Sequence, residues 1–189
     1  MLMKVSEEVL INKILSGDES AMRGLYDRYC GALSTTCRRY ITDEDDTKDV
    51  LQDAFIKIFN KLNTFEYRGE GSLLAWMTRV VVNEALKYLR DVSRRNIVST
   101  TWELPDVSDQ DDEPDDISSI PPETLLKLIQ ELPDGYRAVF NLYVFEQKSH
   151  KEIAQLLGIN EASSASQYHR AKKTLKKRIN ELIKKHHNE

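Results

Sequence analysis

The sequence has no long hydrophobic run, and this absence sets the first limits on the class of protein. No apolar stretch approaches the roughly 18 residues that a membrane span needs. The N-terminal run MLMKVSEEVL has acidic residues where a signal peptide has an apolar core. Apolar residues make up 40% and charged residues 31% of the 189 positions, which is typical of a globular protein. We therefore expect a soluble, cytoplasmic chain with one large domain or two small ones.

Cysteine is scarce, and the residue patterns of common enzyme sites are absent. Cys30 and Cys37 lie seven apart and share a helix face with apolar residues, which predicts buried thiols. A zinc site would need four ligands at closer spacing. There is no glycine-rich phosphate loop, no metal-ligand spacing and no nucleophile near a histidine, so we expect no enzymatic activity and no cofactor. The histidines are His150, His169, His186 and His187, at predicted helix ends or in the tail.

Positive and negative charges are separated along the chain. The net charge of −4 by itself argues weakly against nucleic-acid binding. Residues 96–126, however, contain nine acidic residues and no lysine or arginine, whereas residues 147–189 contain ten basic and four acidic residues. This asymmetry indicates that the two segments have different tasks.

Helical periodicity predicts an all-α fold with two small helical domains, an N-terminal helical bundle and a C-terminal helix-turn-helix domain. We see neither a strand-like alternation nor an internal repeat. The two domains cover residues 1–95 and 122–189. Residues 96–121, rich in proline, aspartate and serine, predict a flexible acidic linker between them.

Four helices are predicted in the N-terminal domain. Ser6 and Asp18 can cap the first two, the acidic run 43–46 suits the start of the third, and the fourth covers residues 72–95. The predicted buried faces of the first two helices include Val9 and Tyr26.

A capping box marks a short helix in the C-terminal domain. Ser149 and Glu152 can satisfy each other's free backbone donors, and Gly158 can adopt the left-handed backbone that ends such a helix. Asn160 can cap a second helix, so the pair is typical of a helix-turn-helix. A break is predicted upstream, at residues 133–135.

The second helix of this pair is predicted to lie in the major groove of duplex DNA. Its predicted inner face includes Ala162, Ala165, Tyr168 and Ala171. The alternative is a solvated basic helix end, which is ordinary dipole chemistry. The residues predicted to meet base edges are Ser163, Ser164, Ser166, Gln167 and His169; those predicted to neutralise phosphates are Arg170, Lys172, Lys173, Lys176, Lys177 and Arg178.

The fourth helix of the N-terminal domain carries a basic stripe, because seven of its residues are spaced by three or four. The stripe has four basic residues, one amide, one large aromatic residue and no acid. This composition favours a surface that follows a nucleic-acid backbone and stacks an unpaired base on the aromatic ring. The adjoining loop, residues 67–71, adds two glycines and could hold an extruded base. The alternative is an ordinary exposed face whose Trp76 packs on a neighbour. The stripe consists of Ser72, Trp76, Arg79, Asn83, Lys87, Arg90 and Arg94.

Taken together, these runs resemble the extracytoplasmic-function (ECF) sigma factors, the smallest members of the sigma-70 superfamily. The run DVLQDAFIKIF at 49–59 resembles the family's second conserved region. The runs RGE at 68–70 and LAWMTR at 74–79, with Asn83, resemble the adjoining regions for the −10 element. The runs LPDGYR at 132–137, EIA at 152–154, LGI at 157–159 and RA at 170–171 resemble the domain that reads the −35 element. The resemblance covers nearly everything except the linker.

The resemblance implies a protein that binds core RNA polymerase and directs promoter recognition and transcription initiation. Residues 1–95 would be region 2, which binds the polymerase clamp helices and single-stranded −10 DNA. Residues 122–189 would be region 4, which binds duplex −35 DNA and the beta flap. The matched positions facing the polymerase would be Asp49, Gln52, Asp53 and Phe55, and those handling the melted −10 strand would be Tyr67, Arg68, Trp76 and Asn83. Those meeting the −35 duplex would be Ser163, Ser166, Gln167 and Arg170, with Arg137 and Lys151 on its backbone.

Some features leave alternatives open. Without the resemblance, Gln52 and Asp53 are simply the polar side of an amphipathic helix. Ala165 stands where the family often has lysine or arginine, so the −35 preference of relatives does not transfer. The acidic linker could mimic nucleic acid in the polymerase cleft or serve as a solubilising tether. Many relatives are held inactive by an anti-sigma protein, so such a partner is implied as well.

A free-standing transcription regulator is the main competing hypothesis. Its helix-turn-helix would bind DNA as a dimer on an operator with two half-sites. That hypothesis leaves the matching runs between residues 49 and 95 unexplained.

Overall fold

The computed structural model describes residues 5–95 and 120–186, except for the side chains of 93–95, 185 and 186. Every regular element in these ranges is a helix, which confirms the all-α prediction. The chain divides into two compact units, Met1–Tyr88 and Leu89–Glu189. The predicted acidic linker, residues 96–121, lies outside the described residues apart from its last two positions.

The N-terminal helices begin where the sequence places caps. Ser6 Oγ accepts from Val9 N, while Asp18 and Asp43 each accept from two backbone N–H groups in the first turn that follows. These side chains satisfy donors that a helix start otherwise leaves without partners. The elements are α1 (Glu7–Leu15), α2 (Glu19–Arg38), α3 (Glu44–Lys61), a 3-10 turn (Leu62–Thr64) and α4 (Ser72–Arg95).

The core of the N-terminal unit forms between α1, α2, α3 and α4. Two polar contacts join α3 to α4: Lys57 Nζ lies 2.6 Å from Glu84 Oε2, and Tyr88 donates to Asp46. The side chains from all four helices with at most 7% exposure include Leu10, Leu25, Leu33, Val50, Ile58, Leu73, Met77 and Val81. This packing fixes one face of α4 against the core and leaves the other to solvent.

Two predicted core residues in this unit are exposed. Val9 and Tyr26 are each 46% exposed, so their placement on buried faces was wrong. On α1 the buried positions are instead Glu7, Leu10, Ile11 and Ile14, whose spacing excludes Val9. The Tyr26 ring still contacts Phe55, with the ring centroids 4.7 Å apart, so part of its apolar body is covered.

Besides the last turns of α4, the C-terminal unit contains four helices around one core. They are α5 (Pro122–Gln130), α6 (Asp134–Val144), α7 (His150–Leu157) and α8 (Glu161–His186). The core cluster consists of Leu128, Ile129, Leu132, Tyr136, Ala171, Leu175 and Ile179. The predicted break at residues 133–135 is shorter than expected, because Asp134 and Gly135 already belong to α6 and Pro133 precedes its first turn.

Both cysteines are free thiols in the N-terminal unit. Cys37 is fully buried and Cys30 is partly buried. Burial raises the pKa of the Cys37 thiol to about 11, which disfavours the reactive thiolate. Separately, no helix among the described residues is both long enough and apolar enough to cross a membrane.

Candidate nucleic-acid interface

The basic stripe of α4 faces away from the core of its unit. Arg79, Asn83, Lys87 and Arg90 are exposed, whereas Leu73, Met77, Val81 and Ala85 on the opposite side are buried. The two sets alternate at the three-and-four spacing of a helix. Ser72 is half-buried at the start of the stripe. The side chain of Arg94, the last predicted member, lies outside the described residues.

Trp76 is partly buried and packs against Phe65. The two ring centroids are 5.0 Å apart, with an angle of 38° between the ring planes. This is the neighbour contact that the structural alternative predicted for Trp76. The contact joins the indole to Phe65, the first residue of the loop before α4, and leaves Trp76 only partly buried.

The loop before α4, residues 65–71, is closed on itself by Ser72. The Ser72 hydroxyl accepts from Arg68 N at 3.2 Å and donates to the Gly69 carbonyl at 2.6 Å. Gly69 and Gly71 have φ angles of 109° and 88°, which side-chain-bearing residues rarely adopt. The glycines therefore allow a tight turn, and Ser72 holds it at the N-terminus of α4.

Two side chains of this loop lie at the surface. Arg68 is exposed and forms an ion pair with Glu66 at 3.0 Å, which solvent screens. Tyr67 is partly buried; desolvation and the nearby Glu70 carboxylate raise the pKa of its hydroxyl. Tyr67 therefore stays a neutral hydrogen-bonding group that a nucleic-acid strand can approach.

Sequence reasoning missed the residue that anchors this loop. Glu7 on α1 is 2% exposed, and its Oε2 accepts from Gly71 N at 2.9 Å and from Leu73 N at 3.2 Å. Gly71, directly before α4, has no side chain that could cap the helix. That missing cap is the only sequence signal that another element must supply the acceptor.

The outer face of α3 is polar at three of the four positions predicted to face a partner. Asp49, Gln52 and Asp53 are exposed, and Ile56 beside them is 51% exposed. Phe55 requires a correction, because it is 5% exposed and its ring packs against Tyr26 and Phe59. Its aromatic ring belongs to the core edge, so a direct contact of Phe55 with a partner is not supported in this conformation.

The helix-turn-helix has the predicted local geometry. Ser149 Oγ accepts from Glu152 N at 3.3 Å and Glu152 accepts from Ser149 N at 2.9 Å, so both halves of the capping box are present. Gly158 ends α7 in the left-handed conformation, with φ 68°. Asn160 accepts from Ser163 N at 2.6 Å and caps α8. Local sequence signals therefore define both helices and the turn.

The first turns of α8 are rotated relative to the prediction. Ala162 and Ala165, predicted to face inward, are exposed, and Ser164 is fully buried instead. The inward positions 164, 168, 171, 175 and 179 keep a spacing of four, three, four and four, which continues the buried stripe of the rest of the helix. The outward surface of these first turns therefore includes Ala162 and Ala165, while Ser164 faces inward.

Ser164 and Arg137 require corrections as candidate DNA contacts. Ser164 lies 3.0 Å from Nδ1 of His150, between α7 and α8. Arg137 is 3% exposed; it donates to the carbonyls of Gln130 and Leu132 and pairs with Asp134. Both side chains join helices within the unit, so neither is available to a DNA strand in this conformation.

The remaining predicted DNA-facing residues of the C-terminal unit lie at its surface. Gln167 is partly covered, because its Oε1 is close to Gly135 on α6, where an added Cβ would be 3.0 Å away. Lys172 extends over the ring of Tyr168, 5.0 Å from its centroid. The exposed positions are Lys151, Ser166, His169, Arg170 and Lys172, and the partly exposed ones are Ser163, Gln167 and Lys173.

Comparison with protein families identifies both units. Residues 25–95 match the model for sigma-70 region 2, and residues 123–175 match the model for sigma-70 region 4. The two matches occur in this order and leave the acidic segment between them unmatched.

The chain is 27% identical over 192 residues to the ECF RNA polymerase sigma-E factor of Haemophilus influenzae, covering 97% of this chain and all of the relative. It is 26% identical over 191 residues to the sigma-E factor of Escherichia coli K12, covering 96% of this chain and 98% of the relative.

Two similar solved structures are complexes of two proteins. One contains CnrH with the cytosolic domain of CnrY, at a TM-score of 0.46 and 22% identity over 89% of this chain and 94% of the other. The other contains the sigma factor RpoE of Bartonella quintana with the anti-sigma factor NepR, at a TM-score of 0.48 and 21% identity over 82% and 94%.

The two region matches and the full-length relatives define the class: the chain belongs to the sigma-70 family, in its ECF group. As a sigma factor, it binds core RNA polymerase and recognises promoter DNA to direct transcription initiation. The competing hypothesis of a free-standing dimeric regulator leaves the region 2 match without a role.

Proposed function

We propose that the two units divide promoter recognition between them. Residues 1–95 bind the clamp helices of the polymerase largest subunit and hold single-stranded −10 DNA. Residues 122–189 bind duplex −35 DNA and the beta flap, and residues 96–121 connect the two. The observation that carries the −10 assignment is the acid-free, exposed stripe of α4 beside a glycine loop, because such a surface can follow a phosphate backbone.

The −10 strand would contact the stripe and loop in sequence. Arg79, Lys87 and Arg90 would neutralise phosphates, while Asn83 would hydrogen-bond a base or sugar. Tyr67, Arg68 and Trp76 would together receive an unstacked base at the glycine turn. Extruding that base costs a few kcal/mol, which favours promoters whose −10 sequence unstacks easily.

The −35 duplex would receive the N-terminal part of α8 in its major groove. Ser166, Gln167 and Arg170 would reach base edges or nearby phosphates, with Lys151, His169 and Lys173 towards the backbone. Ala162 and Ala165 occupy outward positions where longer side chains would add contacts. We therefore expect few direct base contacts from this helix and a large share of the −35 affinity from phosphates.

The polymerase face would be the exposed side of α3. Asp49, Gln52 and Asp53 offer polar contacts, and Ile56 adds apolar area at 51% exposure. We expect Phe55 to act indirectly, by supporting this face from beneath. The family resemblance further implies an anti-sigma partner, action in the cytoplasm and no enzymatic activity of the chain itself.

Run-off transcription with core polymerase over a promoter library tests the whole assignment. The expected result is initiation from promoters that share two elements, with the upstream element protected as duplex and the downstream element melted. Tight binding of the isolated protein to a palindrome without core polymerase, and no polymerase-dependent initiation, would contradict it and favour a free-standing regulator.

Asn83→Ala tests the −10 surface separately. Loss of one hydrogen bond in the melted state should lower open-complex formation about tenfold, measured by permanganate reactivity of unpaired thymines. Affinity for core polymerase, measured by fluorescence anisotropy, should stay unchanged. Asn12→Ala, an exposed amide on α1, is the matched control. Normal open complexes with Asn83→Ala would remove Asn83 from the −10 surface.

A further inference from the structure

The N-termini of α1 and α4 are capped by each other's glutamates. Glu7, the first residue of α1, accepts from Gly71 N and Leu73 N at the start of α4. Glu70, just before α4, accepts from Glu7 N at 2.8 Å. Each carboxyl group thus satisfies backbone donors that the other helix start leaves open. This reciprocal pair joins residues more than 60 positions apart in the chain.

Two residues of α2 complete the network around this pair. Tyr29 donates its hydroxyl to Glu7 Oε1 at 2.8 Å, and Tyr29 is 5% exposed. Arg28 donates to the Val5 carbonyl at 2.8 Å and lies 3.6 Å from Glu70 Oε2. Burial and the hydrogen bond to Glu7 raise the pKa of Tyr29, so its hydroxyl keeps the proton that it donates. The described donors to the Glu7 carboxylate therefore come from two other helices, from Tyr29 on α2 and from the start of α4.

Ser72 closes the loop locally, but its two hydrogen bonds leave the backbone N–H of Gly71 to a partner from another helix. Gly69 and Gly71 are both at positive φ, and among the described residues no atom beyond their chain neighbours would lie within 4 Å of an added Cβ. Glycine loses the most conformational freedom on ordering. A loop that is held in its bound shape before the ligand arrives binds more tightly, because no conformational freedom is lost on binding. The hydrogen bonds from Gly71 N and Leu73 N to Glu7 restrict the backbone in this way at the C-terminal end of the loop.

We propose that Glu7 is a positioning residue for the −10 strand: from α1 it holds the 65–71 loop in the shape that accepts an unstacked base. It touches no DNA itself. The proposal rests on the assignment of this loop to the −10 element in the proposed function. It predicts that α1 contributes to recognition of one base and not only to the stability of its unit.

The test uses holoenzyme assembled from core polymerase and the full chain. The probe is a single-stranded oligonucleotide with the −10 sequence selected in run-off transcription, either intact or abasic at one position. Wild-type holoenzyme should bind the intact strand more tightly than one of the abasic strands. For Glu7→Ala this preference should fall about tenfold, while affinity for core polymerase stays unchanged.

Three further variants separate positioning from general stability. Ile14→Ala weakens the packing of α1 without touching the hydrogen bonds of Glu7, so it should keep the wild-type preference. Glu8→Ala, on an exposed neighbour, should do the same. Glu7→Gln should restore most of the preference, because its amide oxygen can accept both N–H groups while its amide nitrogen donates to the Tyr29 hydroxyl oxygen.

Glu7→Asp carries the test if the alanine variant does not fold. It keeps the acid but is one methylene shorter, so it cannot reach Tyr29, Gly71 and Leu73 together. Its base preference should fall between those of Glu7→Gln and Glu7→Ala.

The outcomes distinguish the inference from the function on which it rests. An unchanged preference in Glu7→Ala and Glu7→Asp, or an equal loss in Ile14→Ala, would overturn the role of Glu7. If wild-type holoenzyme shows no abasic-sensitive position, the −10 role of the loop itself is wrong, and the inference is overturned with it.

Discussion

The two units fix the elements that we propose face DNA over very different distances along the chain. In the C-terminal unit, the capping bonds of Ser149 with Glu152 and of Asn160 with Ser163 span three residues each. In the N-terminal unit, Glu7 reaches Gly71 and Leu73 across 64 and 66 residues. The helix-turn-helix therefore carries its geometry in its own sequence. The 65–71 loop depends on the folding of the unit around it.

Among the contacts between residues close in the chain, we expect the loss of Arg137 in Arg137→Ala to lower the free energy of unfolding most. Its guanidinium donates to the Gln130 carbonyl at the end of α5 and to the Leu132 carbonyl between the helices, and it pairs with Asp134 at the start of α6. Removing it leaves these acceptors without their charged donor, which should cost roughly 3 kcal/mol of unfolding free energy. Amide hydrogen exchange should show the loss of protection in α5 and α6.

The matched control is Lys127→Ala, an exposed basic residue on α5. It should change stability by less than about 0.5 kcal/mol.

For comparison, Glu7→Ala should lower exchange protection at both α1 and residues 65–73, two segments far apart in sequence. If protection fell in α1 alone, the long-range anchoring of the loop would be refuted, and the two units would not differ in this respect.

Alanine substitutions at one glycine of each unit should change stability in opposite directions. At Gly158, φ is 68° and no atom lies within 4 Å of an added Cβ, so Gly158→Ala meets only the backbone cost of about 1 kcal/mol. At Gly31, in the middle of α2 and exposed, alanine also meets no atom within 4 Å and should stabilise by roughly 0.5–1 kcal/mol.

Urea unfolding followed by circular dichroism measures both glycine changes. A lower midpoint for Gly158→Ala and a higher one for Gly31→Ala are expected. If Gly158→Ala were neutral, the turn of the helix-turn-helix would be able to form without the left-handed residue. The claim that local backbone chemistry fixes this turn would then fail.

The same difference in distance explains what the sequence could and could not reveal. The caps Ser6, Asp18 and Ser149 and the left-handed Gly158 act within a few residues, and each was read correctly. The register of the first turn of α8 was wrong, because Ser164 is satisfied by His150, a partner on another helix. A hydroxyl with a buried partner and a hydroxyl facing solvent look the same in a sequence.

Charge is equally ambiguous without the fold. Arg137 and Arg170 are both arginines in matched motifs, yet one is 3% exposed and the other lies at the surface. Glu7 had no distinguishing mark, because acidic residues are common in the first turn of a helix. Its role depends on which helix start comes to lie beside it, and this is decided by tertiary packing.

The smallest expected effect concerns pH and the capping box. Hydrogen bonds from Lys148, and then from the backbone and hydroxyl of Ser149, lower the pKa of Glu152 to about 2 from its usual 4.5. Because the folded value lies below the unfolded one, these bonds stabilise the folded state at pH values above about 4.5. The contribution is lost as the pH falls from there towards 2.

Hydrogen exchange of α7 between pH 6 and pH 2.5, corrected for the intrinsic exchange rate, should therefore show protection that declines at low pH. Glu152→Gln should remove this component of the decline. Lys148→Met removes the partner with the largest effect on the pKa of Glu152, so it should narrow the pH range of the decline and raise its midpoint. The Glu152 side chain is 48% exposed, so the effect should be small. A wild-type profile in both variants would mean that the capping box is not held by charge, and that helix propensity and the Gly158 turn suffice to place α7.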